Sequence, residues 1–286
     1  MFNLRDWIDI NKIDWDSLSE NPNAIELLKE NENKINWHYL SKNPNAINML
    51  KKNKDKISWF FLSSNINANE LLNEIVNENQ LNWCKLSWNS NAMSLLRKNK
   101  DKIFWDGLSA NPNAIELIKE NQDKIDWVNL SMNKNAIELL KENQEKINWE
   151  LFSININAIN LLKQNKEKIN YRNLCANNNE GVISLLKENQ NKINWNWLSE
   201  NPYAISLLEE NKDKINWNLL SSNPNAMSLL KENQDKIYWK NFSKNPNIFT
   251  YNYKQMNYLK VFCLRQKANK FAIKYLKFYF FKHKIN

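Results

Sequence analysis

The chain has 286 residues and a formal net charge of +9, and 42% of its residues are hydrophobic, while only two are Gly and six are Pro. This hydrophobic content is enough for a core, and two glycines cannot make a P-loop or a dinucleotide-binding turn. The two histidines and three separated cysteines leave almost no material for zinc sites or for a Ser-His-Asp triad.

The first twelve residues carry no targeting signal. The start MFNLRDWIDI places Arg5, Asp6 and Asp9 where a signal peptide needs an unbroken apolar run. No stretch of about 18 apolar residues follows that could span a membrane. The sequence therefore predicts a cytoplasmic protein, neither secreted nor transmembrane, with residues 1–12 as an N-terminal cap.

From residue 13 to 249 the chain repeats a unit of about 22 residues, [ND]-W-x-x-[LF]-S-x-N-P-N-A-I-x-L-L-K-E-N-x-D-K-I. We count positions from its aromatic anchor. The eleven anchors are Trp15, Trp37, Trp59, Trp83, Trp105, Trp127, Trp149, Tyr171, Trp195, Trp217 and Trp239. Asn stands at position six of every unit, whereas Pro at position seven is absent from five units. Regular recurrence of this kind predicts a repeat architecture.

Each unit predicts two short helices. The Asp or Asn before the anchor is a good N-cap for the first helix. The Asn-Pro pair, as in Asn21 and Pro22, ends that helix and predicts a second one with Asn as its N-cap. We expect Asn31 to end the second helix in the left-handed conformation. The anchor aromatics and the recurrent Leu and Ala residues should form the core.

One unit is too small to be stable alone, so neighbouring units must share a core. The sequence predicts an all-α fold, an α-solenoid of about eleven helix-turn-helix repeats stacked as a rod of paired helices of undetermined curvature, with 250–286 as a C-terminal capping helical segment. The alternative is a leucine-rich-repeat horseshoe, whose unit length is similar. It requires an alternating L-x-L strand, and the I-x-W-x-x-L spacing suits a helical turn better.

The run W-x-x-L-S-x-N-P-x-A-I-x-L-L, as in WDGLSANPNAIELI (105–118) and WNWLSENPYAISLL (195–208), resembles a tandem-repeat family of giant viruses with large DNA genomes. Proteins of that family often close on N-I-F-x-Y-x-Y, and residues 247–253 read NIFTYNY. The resemblance covers nearly the whole chain. It implies a repeat scaffold and a viral source, and it implies no catalytic residue and no assigned function.

No constellation in the sequence indicates catalysis, so we expect no enzyme activity, no cofactor, no metal and no small-molecule substrate. Carboxylates such as Glu116 and Glu138 recur at the repeat spacing, which is typical of a solvated helix surface. Cys175 stands where other units have Ser, which favours a small neutral replacement over a nucleophile.

The function predicted from the sequence is a protein-protein interaction scaffold, directed toward a host protein if the source is viral. Positions one, two and five vary between units, and variable exposed positions of a repeat array are where partners bind. The predicted partner-binding residues at these positions are His38, Tyr39, Phe60, Phe61, Trp88, Leu151, Ile154 and Trp197. For Phe60 and Trp197 the alternative is that the side chain packs inward against a neighbouring unit.

The basic charge lies in the C-terminal segment 250–286, which holds nine Lys or Arg and no acidic residue. Removing these nine from 40 basic residues leaves 31, which balances the 31 acidic residues of the chain. One helical stripe of this segment contains Lys260, Lys267, Lys270, Lys274 and Lys277. The segment either caps the array or, as the alternative function, binds an anionic membrane surface or a nucleic acid.

Overall fold

Nine of the eleven repeat units fold as two short α-helices followed by a single 3-10 turn. The computed structural model describes residues 2–74 and 80–252. The first helices of the eleven units are α1 (Trp15–Glu20), α3 (Trp37–Lys42), α5 (Trp59–Leu62), α7 (Trp83–Trp88), α9 (Trp105–Ala110), α11 (Trp127–Leu130), α13 (Trp149–Phe152), α15 (Tyr171–Leu174), α17 (Trp195–Glu200), α19 (Trp217–Leu220) and α21 (Trp239–Lys244).

The second helices of the first ten units are α2 (Ile25–Glu30), α4 (Ile47–Lys52), α6 (Asn69–Asn73), α8 (Met93–Lys98), α10 (Ile115–Lys119), α12 (Ile137–Glu142), α14 (Ile159–Gln164), α16 (Val182–Lys187), α18 (Ile205–Glu209) and α20 (Met227–Glu232). In the eleventh unit a 3-10 turn, Pro246–Ile248, takes the place of the second helix. The predicted all-α repeat architecture is therefore confirmed, and the horseshoe alternative is wrong.

Two three-residue strands, β1 (Phe2–Leu4) and β2 (Phe249–Tyr251), are the only strands in the described part of the chain. They pair antiparallel, with Phe2 opposite Tyr251 and Leu4 opposite Phe249. The chain divides into two compact units, one containing this strand pair and the other spanning Trp7–Ile248. The second of these, which we call the array, contains all the helices described above.

The predicted N-caps of the first helices are confirmed. The carboxylate of Asp14 accepts a hydrogen bond from the Ser17 N–H at 2.8 Å, and Asn148 caps its helix in the same way. Three first helices lack a side-chain cap, since their cap positions hold Ser58, Phe104 and Tyr238.

The recurrent Asn at position six has a different role from the predicted one. Asn21 ends the first helix in an extended conformation (φ −72°, ψ 120°), and the second helix begins only at Ile25, with Ala24 at its N-cap position. The Asn21 side-chain oxygen accepts the N–H of Asn23, which closes a tight turn between the helices. The prediction of Asn as helix N-cap is wrong because the turn places three residues between Asn and the helix.

The amide group of the same Asn joins each unit to the one before it. Asn43 Nδ2 donates to the backbone oxygens of Ser19 and Asn21 at 3.0 and 2.8 Å. All eleven position-six residues make the equivalent pair of bonds: Asn21, Asn43, Asn65, Asn89, Asn111, Asn133, Asn155, Asn177, Asn201, Asn223 and Asn245. These side chains are buried, so each bond satisfies a carbonyl that water cannot reach.

The array closes on itself. Asn21, in the first unit, donates to the backbone oxygens of Ser243 and Asn245 in the eleventh unit, both at 2.9 Å. Helix α1 packs on α21 just as it packs on α3. The solenoid, whose curvature the sequence does not predict, is therefore closed, because the last unit is followed in space by the first.

A second set of bonds runs through the Ser at position four. The Ser19 hydroxyl donates to the Trp15 carbonyl at 2.9 Å and accepts the Asn36 N–H of the next unit at 3.0 Å. At the closure, the Ser243 hydroxyl accepts the Asp14 N–H at 2.9 Å. The same register of bonds therefore crosses every junction, including the one between the last unit and the first.

The anchor aromatics are less buried than predicted. Tyr171 is buried, but the Trp anchors are half-buried. For ten of the eleven anchors a Lys three residues before the next anchor lies over the ring, as Lys34 does over Trp15 at 4.3 Å, whereas the third unit has Gln80 at that place. Lys12 lies over Trp239 at 5.6 Å and so repeats the contact across the closure. Stacking of these cations on the rings covers part of their apolar faces.

The Leu or Phe at position three and the Ala at position nine, such as Leu18 and Ala24, are fully buried, as predicted. Asn31 has φ −133° and ψ 50°, so the predicted left-handed conformation is wrong. Its side chain donates instead to the Leu27 carbonyl one turn back, at 2.9 Å, which satisfies a free helix-end acceptor without a positive φ.

Replacement of Asn133 by Ala should lower the free energy of unfolding by about 1–3 kcal/mol, because the Ser109 carbonyl loses its side-chain donor and the Asn111 carbonyl keeps only the Ala114 N–H. The matched control is Asn135→Ala, which removes one exposed bond to Pro112 and should cost far less. Urea denaturation followed by circular dichroism measures both. Equal losses for the two variants would contradict the role given to Asn133.

Closure has its own test at Asn21. If the array is closed, Asn21→Ala should cost as much as Asn133→Ala, because both side chains join two units. In an open rod Asn21 would have no preceding unit to bind, and its replacement would remove only the local bond to Asn23. A loss at Asn21 much smaller than the loss at Asn133 would show that the array is open.

Candidate protein-binding surface

The first helices present one continuous row of side chains around the array. Positions one and five of each first helix lie on the side opposite the buried residue at position three, and position two lies on the flank, where Ser17 and Gly107 are buried. The predicted surface residues at these positions are found as follows: Phe60 is 49% exposed, Trp197 43% and Trp88 42%, His38 is exposed, and Tyr39, Phe61, Leu151 and Ile154 are half-buried. Phe60 and Trp197 are therefore not packed inward.

Four of these residues come together on the second and third units. The aromatic rings of Phe60 and Phe61 meet edge to face with centroids 5.3 Å apart. The His38 and Tyr39 rings each lie 6.2 Å from the Phe61 ring. We call these four residues the aromatic cluster. Aromatic rings prefer the edge-to-face contact that Phe60 and Phe61 make, and the four neighbouring rings together form an apolar surface.

Three lysines from three different units surround the aromatic cluster. Lys85 of the fourth unit lies over the Phe60 ring at 4.7 Å. Lys42 lies over the Phe61 ring at 5.7 Å, and Lys244 of the eleventh unit lies over the Tyr39 ring at 5.9 Å. Lys244 reaches this place only because the array is closed.

One carboxylate holds two of these lysines in place. Glu20 lies 2.9 Å from the Lys42 ammonium and 3.7 Å from the Lys244 ammonium. Three lysines and one glutamate therefore leave the rim of the aromatic cluster positive. A surface with an apolar centre and a cationic rim is complementary to an apolar side chain flanked by carboxylates.

The other predicted residues lie apart from the aromatic cluster. Trp88 lies against Gly107 of the next unit, and a Cβ on Gly107 would fall 2.7 Å from the indole. Trp88 therefore packs against its neighbour on one side and is exposed on the other. Leu151 and Trp197 belong to the seventh and ninth units, and no aromatic contact joins them to the cluster within residues 2–74 and 80–252.

Several exposed apolar residues were not predicted from the sequence. Phe104 and Tyr238, 49% and 44% exposed, stand at the N-cap position, where Asn or Asp is the rule. An aromatic residue at a position that normally caps a helix is a sequence signal, and it could have predicted that these two side chains are exposed. Val128 (49%), Ile66 (48%), Tyr203 (45%), Ile10 (41%) and Phe2 (36%) complete the set.

Within the described ranges no group of three or more His, Cys, Asp or Glu residues could hold a metal ion. No described helix is long and apolar enough to cross a membrane. The predicted basic stripe, from Lys260 to Lys277, lies outside the described residues, as does Cys263.

Cys175 makes the bonds that Ser makes in the other units. Its thiol donates to the Tyr171 carbonyl at 3.1 Å and accepts the Asn194 N–H at 3.3 Å. Burial raises the pKa of the Cys175 thiol above its ordinary value, and the bond from the Asn194 N–H opposes this only in part. A buried thiol with a raised pKa is a poor nucleophile, because the thiolate is the reactive form.

A comparison with known protein families, curated proteins and solved structures finds no match for this chain.

The raised pKa of Cys175 predicts slow reaction with a disulfide reagent. In variants with Cys263→Ser that keep only Cys84 or only Cys175, we expect Cys175 to react at pH 8 at least about tenfold more slowly, because less of it is thiolate and it is buried. Its rate should rise only at higher pH. Both variants should react equally in denaturant, and equal rates in the folded state would contradict this assignment.

Proposed function

We propose that the protein is a non-enzymatic interaction scaffold whose closed array binds another protein through the aromatic cluster. The observation that supports this most strongly is the exposed group of Phe60, Phe61, His38 and Tyr39 within a rim of lysines. Exposed aromatic groups with a polar rim are typical of binding hot spots. The resemblance to repeat proteins of giant viruses suggests a host protein as the partner.

The repeat itself supports the choice of these residues. Positions three, four, six and nine are nearly uniform because every junction uses them for packing or hydrogen bonds. Positions one and two make bonds between units only in some units, such as the bond from Asn36 Nδ2 to Asp16, so the array accommodates Asp16 in one unit and Phe60 in another. Large aromatic residues at two adjacent free positions, and again at Tyr39 next to them, therefore call for a reason outside the fold.

The partner proposed for this surface is a protein with an exposed apolar side chain flanked by acidic residues. The apolar side chain would contact Phe60 and Phe61, and the acidic residues would face Lys85 and Lys244. The cytoplasm is the proposed compartment.

The second candidate function is attachment to an anionic membrane surface or a nucleic acid through the basic segment 250–286. It rests on one observation of the sequence, nine Lys or Arg with no acidic residue in that segment. Deletion of 254–286 separates the two proposals. A scaffold keeps its protein partner after the deletion, whereas an anchor loses its location or its nucleic acid.

The double variant Phe60→Ala/Phe61→Ala should reduce capture of the bound protein from host extract at least tenfold, about 1.4 kcal/mol, because hot-spot aromatics contribute about 2 kcal/mol or more. Val128→Ala is the matched control, since Val128 has the same 49% exposure and the same position one as Phe60. Quantitative mass spectrometry compares the captured proteins.

A protein captured equally by the wild type, the double variant and the control would contradict the proposal. The three forms must have the same thermal unfolding midpoint, so that loss of capture cannot be a loss of the fold.

A further inference from the structure

A cavity of about 140 Å³ opens between the eighth and ninth units, far along the row from the aromatic cluster. Its lining residues are Ala176, Asn178, Trp197, Glu200 and Asn201. Trp197 is 43% exposed, and Glu200 is exposed. In the described part of the chain no cation forms an ion pair with Glu200.

In two other units, the second and the eleventh, a lysine stands at position five, where the eighth unit has Ala176. Lys42 stands at position five of its unit and lies over Phe61, at position two of the next unit, at 5.7 Å. Lys244, also at position five, lies 3.7 Å from Glu20, at position five of the next unit. A cation at position five can therefore contact an aromatic ring at position two and a carboxylate at position five of the following unit.

The ninth unit has both of these partners without the cation. Trp197 stands at position two and Glu200 at position five, whereas position five of the eighth unit is Ala176. The methyl group of Ala176 is too short to reach either side chain, and the cavity is the space that a longer side chain would occupy.

The corresponding space is filled at the junction of the fourth and fifth units. There, Trp88 at position five packs directly onto Gly107 at position two, so a large residue is matched by a small one. At the junction of the eighth and ninth units the order is reversed. The small residue, Ala176, is at position five and the large one, Trp197, is at position two and remains exposed.

We propose that this cavity binds one organic cation, the ammonium or guanidinium group of a lysine or arginine side chain presented by a protein. The face of Trp197 attracts the cation, because indole has the most favourable ring for such contacts. The Glu200 carboxylate accepts its N–H groups in charge-assisted hydrogen bonds. Since the cavity holds several times the volume of a water molecule, it accommodates the charged end with its adjoining methylene groups.

The site is separate from the aromatic cluster, which is suited to acidic partners, so the two tests can fail independently. A small cation needs no partner protein to report on the cavity. If the probe binds the cavity and Phe60→Ala does not change that binding, the result does not bear on the proposed function.

The experiment titrates the full chain, labelled with ¹⁵N at its indoles, with N-acetyl-lysine methylamide and, separately, with N-acetyl-arginine methylamide. The Trp197 indole signal, assigned by its loss in Trp197→Phe, should shift and saturate, and the two titrations show which cation is preferred. N-acetyl-norleucine methylamide, neutral and of similar shape, should leave the signal in place. Glu200→Gln should weaken binding of the preferred cation about tenfold.

Ala176→Lys is the decisive variant, because its own ammonium should fill the cavity and weaken probe binding at least tenfold. Its matched control is Ala110→Lys, since Ala110 also stands at position five but is followed by Asn129 and Met132 rather than by an aromatic residue and a carboxylate. Ala110→Lys should bind the probe like the wild type.

The proposal is overturned if neither cation shifts the Trp197 signal, if the neutral analogue shifts it equally, or if Ala176→Lys binds as tightly as Ala110→Lys. Thermal unfolding of each variant confirms that the fold is present before the titrations are compared.

Discussion

The array depends on the amide group of one buried asparagine per unit. The carbonyl at position six and the carbonyl two residues earlier both accept a bond from the next unit. The position-six carbonyl also accepts a backbone N–H three residues later, as Asn21 does from Ala24. Asn43 supplies the donor for both Ser19 and Asn21, while its oxygen holds the turn to the second helix through the Asn45 N–H. One side chain thus fixes the turn, satisfies two buried acceptors and sets the spacing of the units. Neither Asp, which has no amide donor, nor Gln, whose longer stem displaces the amide, offers the same geometry.

This requirement explains why the position-six Asn is uniform while the Pro after it is not. Where Ser90 or Lys134 replaces Pro, the backbone carbonyl at that position still accepts a bond from the Asn of the next unit, Asn113 or Asn157. The proline ring adds stiffness to the turn, but no junction uses its atoms other than the carbonyl oxygen. The N–H that proline lacks is one that the junction does not need.

The helices and their buried faces could be predicted because their causes are local. Asp14 accepts the N–H of Ser17, three residues later, and the spacing of Leu18 and Ala24 in the sequence places them on the buried face. Closure could not be predicted in this way, since it depends on a small rotation between units summed over eleven junctions. The partners of Asn21 lie 222 and 224 residues away in sequence. For the same reason, only part of the candidate surface could be predicted. Phe60 and Phe61 were found from their free positions, but Lys244 joins them only through closure.

A closed array also has no frayed end from which unfolding can begin. In a linear repeat protein, the terminal unit detaches by breaking one interface, and stability is lost stepwise from the ends. Here the first unit holds the last one, so release of any unit must break two interfaces together. Gain or loss of a whole unit would likewise leave the first and last units out of register. The number of repeats, which drifts easily in open arrays, is therefore fixed by geometry.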